Sequence, residues 1–127
     1  MKRMEKGTIQ MKKYTFKTKK GDLILTPDYF EINRTQYKFI ERTSGPYKGV
    51  SNEKYLQDAI DTLLMVMNNG NKFDYSAYFA AKDPEDDKYV DLRISVGTNY
   101  VTLKVTKIRE ILFNARVTAE LFRKIVV

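Results

Sequence analysis

The residues of this chain whose types and spacing suggest chemistry are a few carboxylates and one lysine. Asp28 follows Pro27 early in the chain, and Asp86-Asp87-Lys88 stands in its second half. Carboxylates on adjacent strands can hold a divalent cation while a lysine stabilises charge on a phosphate, which is the chemistry of a metal-dependent nuclease. A predicted helix separates the two groups, and the second group lies in a predicted turn. An ordinary Pro-Asp turn and a solubilising acidic loop are the simpler interpretation, so the nuclease is the third hypothesis.

Two missing residue types narrow the possible activities further. The chain of 127 residues contains no histidine and no cysteine. It therefore lacks the usual proton shuttle near neutral pH, thiolate nucleophiles, disulfides and sulfur ligands for metals. None of the six glycines stands in a phosphate-binding or dinucleotide-binding pattern. We expect a binding protein that is not an enzyme and that uses no cofactor and no metal.

An acidic run between two predicted strands is the most negative segment of the sequence. It contains Asp83, Glu85, Asp86 and Asp87. The run lacks the regular aspartate spacing of an EF-hand calcium loop, so we do not expect it to hold a metal ion. An exposed turn is the simplest interpretation, and the alternative is an anionic patch that binds a basic protein partner.

Positive charge is concentrated at the N-terminus. The net charge is +7, and residues 1–20 hold eight Lys or Arg residues and a single acid, so the remainder is neutral overall. We predict a basic N-terminal arm over residues 1–12 and one domain over 13–127. Lysines on such an arm contact phosphates without reading base sequence. The predicted nucleic-acid-binding residues are Lys12, Lys13, Lys17, Lys19, Lys20 and Tyr14.

The ends of the chain bear on localisation. No apolar run approaches the roughly 20 residues of a membrane span, and the N-terminus lacks the apolar core of a signal peptide. We predict a cytoplasmic protein with no membrane partner. The segment 116–127 has an apolar edge that is more typical of a core-sealing helix than of a membrane-surface helix. Met1, Met4 and Met11 are all possible initiators, and a start at Met11 would remove most of the arm.

Aromatic residues are abundant, with nine Tyr and seven Phe. Aromatic side chains that alternate along strands can stack on the bases of single-stranded nucleic acid, although they more often belong to a core. The sequence leaves both roles open for Tyr14, Phe16, Tyr37 and Phe39. A predicted helix needs a sheet face to cover, and this need favours the core role.

Hydrophobic periodicity predicts an α+β domain. Alternation with a period of two predicts an antiparallel sheet of about six short strands. An apolar stripe from Tyr55 to Met67 predicts one amphipathic helix over 52–68 that covers a sheet face, and Thr106 and Thr118 are predicted to cap short C-terminal helices. Strands are predicted within 13–42 and at 73–79, 90–96 and 100–106. We expect burial of Leu56, Ile60, Leu63 and Leu64 against strands that contain Leu92, Ile94, Leu103 and Val105.

Two function classes rank above the nuclease hypothesis. The leading hypothesis is a small non-catalytic binding protein that associates with nucleic acid through the basic arm. The alternative is an inhibitor or adaptor, encoded by a phage or mobile element, that binds a nucleic-acid enzyme or a defence factor. Abundant Lys, Asn, Ile and Tyr without Trp are typical of an AT-rich bacterial or phage genome. The sequence does not indicate an oligomeric state.

Overall fold

The computed structural model describes residues 12–70 and 75–127. The predicted arm, apart from Lys12, and the predicted strand start at Phe73 therefore lie outside the described residues. Eight strands and two helices are present in the described part of the chain. In chain order they are β1 (Tyr14–Thr18), β2 (Gly21–Leu25), β3 (Tyr29–Ile32), β4 (Thr35–Phe39), α1 (Asn52–Asn68), β5 (Ser76–Lys82), β6 (Tyr89–Val96), β7 (Tyr100–Lys107), β8 (Glu110–Thr118) and α2 (Ala119–Val126).

The strands form one antiparallel sheet in which each strand pairs with its neighbours along the chain, in the order β1 to β8. The first and last strands approach each other, so the sheet curls into a nearly closed barrel. We call the line along which β1 faces β8 the seam. The prediction of about six strands packed on one helix is therefore wrong. A flat sheet face needs a helix to cover it, whereas a curled sheet covers much of its own apolar surface.

The core lies on the inner face of the curled sheet. Alternate residues of every strand point inward, and cross-strand pairs such as Leu92 with Val105 and Ile94 with Leu103 follow one another around it. These four side chains are at most 1% exposed. The outer face is polar because the intervening positions carry charged, hydroxyl and tyrosine side chains. Period-two alternation, read from the sequence, thus assigns each strand residue to the core or to the surface.

Helix α1 has the bounds that the apolar stripe predicts. Ser51 caps it, because the Ser51 hydroxyl accepts a hydrogen bond from the backbone N–H of Lys54 at 3.1 Å. Leu56, Ile60 and Leu63 are buried as expected, whereas Leu64 is only half-buried. The helix contacts β5, β6 and α2. It therefore packs its apolar stripe against the core and leaves its other side exposed.

The loop between β4 and α1 is anchored on the first turn of this helix. The guanidinium carbon of Arg42 lies 3.7 Å from the centroid of the Tyr55 ring, and Arg42 also donates a hydrogen bond to the side-chain oxygen of Asn52. The Tyr47 ring meets Tyr55 edge-on, with centroids 5.0 Å apart. Burial lowers the pKa of Arg42 and raises the pKa of Tyr55. These contacts hold the loop between β4 and α1 in place.

Helix α2 bridges the seam. The predicted cap at Thr118 is confirmed, since its hydroxyl accepts a hydrogen bond from the N–H of Leu121 at 3.1 Å. The Phe122 ring stacks on Phe16 of β1 with centroids 5.6 Å apart. The helix also contacts β7 and β8. It therefore ties the first strand to the last two.

The helix predicted to start at Thr106 does not exist. Thr106 and Lys107 end β7, the chain turns at Ile108 with φ +56°, and β8 follows. Strand β8 offers Phe113 and alternate residues after it to the inner face. A register irregularity lies within the strand, because Val105 pairs with Phe113 and Thr106 with Ile111, which leaves Leu112 as an extra residue. The spacing of its first apolar residues mimics a helix because this irregularity displaces the alternation. The backbone hydrogen bonds between β7 and β8 stabilise a strand here and outweigh the local preference for a helix.

Candidate nucleic-acid interface

Lys19 and Lys20 form the tip of the β1–β2 hairpin, and both are exposed. The Thr18 hydroxyl accepts a hydrogen bond from the backbone N–H of Lys20 at 3.0 Å and donates one to the carbonyl of Gly21 at 2.6 Å. Gly21 has φ +114°, which other residues rarely adopt. The turn is thus fixed by its own side chain and by a glycine, and it places two lysines at a defined position on the surface.

This turn forms one wall of a groove beside the seam. The opposite wall is the outer surface of β7 and β8, and the groove has a volume of about 540 Å³. We call it the seam groove. Among residues 12–70 and 75–127, its lining contains three cations and no carboxylate. The lining residues are Lys19, Lys20, Tyr100, Thr102, Asn114, Ala115 and Arg116.

Arg116 and Tyr100 form the floor of the seam groove. The guanidinium carbon of Arg116 lies 4.4 Å from the centroid of the Tyr100 ring, which is 44% exposed. Thr102 stands directly opposite Arg116 across the two strands. A second depression shares these three residues and continues to the β6–β7 turn at 97–99. The arrangement combines positive charge, hydroxyl and amide groups and an accessible ring, which suits a phosphorylated aromatic ligand.

The structure divides the predicted basic residues between two places. Lys17 is exposed on the outer face of β1, opposite Asp22 of β2, and the Asp22 carboxylate offsets its charge. Lys12 lies at the other end of β1, where its amino group donates to the side-chain oxygen of Gln57 at 3.2 Å. Lys13 is exposed beside it. Of the described basic residues that were predicted to bind nucleic acid, only Lys19 and Lys20 line the seam groove.

The four aromatic residues left open by the sequence belong to the core. Tyr14 is 8% exposed, Phe16 and Tyr37 are also buried, and Phe39 is half-buried against them. Burial raises the pKa of Tyr37, and the nearby Asp83 carboxylate raises it further. Because the Tyr14 ring is covered, it does not offer a face to a base. The stacking role predicted for Tyr14 therefore receives no support from its position.

Tyr100 and Arg116 were not among the nucleic-acid-binding residues predicted from the sequence. Both lie on the outer face of the sheet, as do Tyr78 and Tyr89, which are 55% and 61% exposed. Their signal is parity along the strand: Tyr78 stands between the buried Ala77 and Phe79, so it must point outward. A large aromatic side chain at an outward position was the available clue.

The acidic run is tied together by a lysine of β7. The Lys107 amino group lies 2.8 Å from a carboxylate oxygen of Asp83 and 2.6 Å from one of Asp86. Asp83 also accepts a hydrogen bond from the backbone N–H of Glu85 at 2.9 Å, and Asp87 pairs with Lys82 at 3.3 Å. Hydrogen bonds from Lys107 lower the pKa of Asp83 and Asp86, and the same contacts raise the pKa of Lys107. Three of the four predicted partner-binding acids thus have partners inside the chain.

These pKa shifts predict that the acidic loop loses stability in acid. The lowered pKa of Asp83 and Asp86 gives a contribution that is present above about pH 4 and is lost as the pH falls through the lowered values. The raised pKa of Lys107 gives a contribution that is present below about pH 10 and is lost only as the pH rises through the raised value. In urea unfolding, Lys107→Met should therefore destabilise the protein more at pH 7 than at pH 3. Lys104→Met is the matched control, and an equal loss at both pH values would contradict the linkage.

The residues of the nuclease hypothesis do not come together. Asp86 is held by Lys107, and the backbone of Asp28 is bound within the β2–β3 turn, where its N–H donates to the Thr26 hydroxyl at 3.1 Å. Within residues 12–70 and 75–127, no group of three or more acidic side chains is placed to hold a metal ion. In the same part of the chain, neither helix is long and apolar enough to cross a membrane.

No protein-family model matches this sequence, and neither a curated protein nor a solved structure shows significant similarity to it. We therefore infer the function from the chemistry of the seam groove.

Proposed function

We propose that this chain is a non-catalytic nucleic-acid-binding protein of the cytoplasm that holds phosphates in the seam groove. The observation that carries the proposal is the composition of the lining, in which Lys19, Lys20 and Arg116 surround an exposed tyrosine with no carboxylate among them. Among the described residues of the lining, an anionic ligand meets three positive charges without a competing negative one.

Each lining residue has a defined part in this binding. Lys19 and Lys20 contact phosphates as point charges from the hairpin tip, and the planar Arg116 offers a bidentate contact. Thr102 and Asn114 supply neutral donors to phosphate or sugar oxygens. None of these contacts reads the edge of a base, so we propose binding with little sequence preference. Charged residues upstream of Lys12 add to the field that attracts the nucleic acid.

The test is a titration of a fluorescently labelled oligonucleotide by fluorescence anisotropy at several salt concentrations. Each neutralised phosphate contributes about 0.7 to the slope of log affinity against log salt for a single strand. Three contacts from Lys19, Lys20 and Arg116 therefore predict a slope of about −2. A glutamate oligomer of similar charge is the control for general polyanion binding.

Two results would overturn the proposal. One is the absence of binding to single- or double-stranded DNA or RNA at low salt, which would favour the inhibitor or adaptor alternative. The other is equal affinity for the glutamate oligomer, which would show that the groove accepts any polyanion.

A further inference from the structure

Three exposed tyrosines on the outer face of β5, β6 and β7 each lie beside a cation. The guanidinium carbon of Arg93 lies 5.6 Å from the centroid of Tyr78, and the Lys82 amino group lies 5.7 Å from that of Tyr89. Tyr100 has Arg116 at 4.4 Å, as described for the seam groove. We call these three pairs the tyrosine–cation track. It pairs aromatic faces with positive charge, as single-strand-binding surfaces do, and one of its cations, Lys82, also pairs with Asp87 at 3.3 Å.

The strand register places two of the pairs one after the other along β5 and β6, and the third pair farther along on β7 and β8. Tyr89 belongs to β6 and stands opposite Lys82, and Tyr78 stands opposite Arg93. Tyr100 begins β7 just beyond the last pair of the β6–β7 ladder, next to Gly97. Positions 89, 93 and 97 are four residues apart, so successive pairs are displaced by about 13 Å along the strands and the whole track spans about 27 Å in that direction. The third pair is also displaced sideways by two strands, or about 10 Å. One end of the track is the floor of the seam groove.

We propose that the nucleic acid held by the seam groove is single-stranded and that its bases stack on Tyr100, Tyr78 and Tyr89 in turn. This inference rests on the proposed function. A ring standing on a sheet surface can stack only on a base whose face is open, and the bases of a duplex already cover one another. A track of about 27 Å accommodates roughly four to eight nucleotides.

Charge along the track indicates the path of the phosphates. Arg93 stands opposite Lys104 across β6 and β7, which places two cations side by side on the outer face. Asp91 lies on the same face of β6, between Tyr89 and Arg93, and is exposed. A phosphate is repelled from Asp91 and attracted to the Arg93 and Lys104 pair. The phosphate backbone of the nucleic acid therefore passes over Arg93 and Lys104, on the side of β6 that faces β7. The bases point toward the tyrosines.

The test compares a 12-nucleotide single strand with a duplex of the same sequence, using the full chain. The variants are Tyr78→Leu and Tyr89→Leu, which keep an apolar side chain and remove the aromatic ring. Each should weaken single-strand binding about 10-fold and change duplex binding less than twofold. Tyr78→Phe, which keeps the ring, should retain the affinity of the unmodified protein. Tyr29→Leu on the outer face of β3 is the matched control and should have no effect.

The outcomes separate this inference from the proposed function. Equal losses for single strand and duplex, or no loss in either variant, would overturn the stacking inference while phosphate binding by Lys19 and Lys20 stands. Failure of the unmodified protein to bind any nucleic acid would overturn both. A series of oligonucleotide lengths gives an independent check, because affinity should rise up to roughly four to eight nucleotides and then level off. Continued growth well beyond that length would contradict the track.

Discussion

Replacing Phe122 by alanine is expected to lower the free energy of unfolding by about 3–5 kcal/mol. Phe122 is 1% exposed and stacks on Phe16 with ring centroids 5.6 Å apart. It belongs to α2, the helix that contacts β1 on one side of the seam and β7 and β8 on the other. Truncation therefore removes apolar contacts and leaves a cavity at the point where the barrel nearly closes.

Urea denaturation measures this loss directly. Leu121→Ala is the matched control, because Leu121 is on the same helix but is 39% exposed, and its substitution should cost less than about 1 kcal/mol. Phe122→Leu keeps most of the volume and should cost about 1–1.5 kcal/mol, which provides a measurable variant if the alanine variant does not fold. Similar losses for Phe122→Ala and Leu121→Ala would show that α2 does not seal the core.

Reversing the charge of both hairpin lysines, Lys19→Glu with Lys20→Glu, is expected to weaken nucleic-acid binding about 100-fold at low salt. Each substitution removes an attraction and adds a repulsion, and a unit charge pair at about 4 Å is worth on the order of 1 kcal/mol even in water. For a single strand, the slope of log affinity against log salt should also shrink by about 0.7 for each lost contact. Both side chains are exposed, so the fold should be unaffected.

The matched control reverses the same amount of charge elsewhere. Lys48→Glu with Lys54→Glu changes two exposed residues before and within the first turn of α1. This variant has the same net charge as the hairpin variant but leaves the seam groove intact. We expect it to lower affinity only a few-fold, through the overall field of the protein. Equal losses in the two variants would mean that net charge, and not the groove, determines binding.

Local signals in the sequence predicted the local structure well. The stripe from Tyr55 to Met67 gave the bounds of α1, and Thr118 was recognised as a helix cap because capping depends on residues three positions apart. Strand β8 was missed for the opposite reason. Its register irregularity hides the alternation, and the hydrogen bonds that stabilise it come from β7. Missing one strand prevents recognition of a barrel, since closure depends on the last strand reaching the first.

The candidate site shows the same limit more strongly. Lys19 and Lys20 were selected from the charge distribution alone, and the structure places them in the groove. Arg116 and Tyr100 join them only because β1 lies against β8, and no pattern within a short window encodes that approach. Tyr14 was selected as an aromatic residue of a predicted strand, whereas its inward position on β1 places it in the core. Successive side chains of a strand point to opposite faces of the sheet. Whether a tyrosine alternates with apolar residues along its strand is therefore the better guide to whether its ring is accessible.

The most direct test of the central claim is a map of amide chemical-shift changes by NMR while a single-stranded oligonucleotide is added. A chain of 14.9 kDa gives well-resolved spectra for this purpose. We expect the largest shifts at the seam groove, in Lys19, Lys20, Thr102 and Arg116, and smaller shifts along β6. Shifts confined to the N-terminal turn of α1 around Lys12 and Gln57, or to the acidic loop, would contradict the central claim.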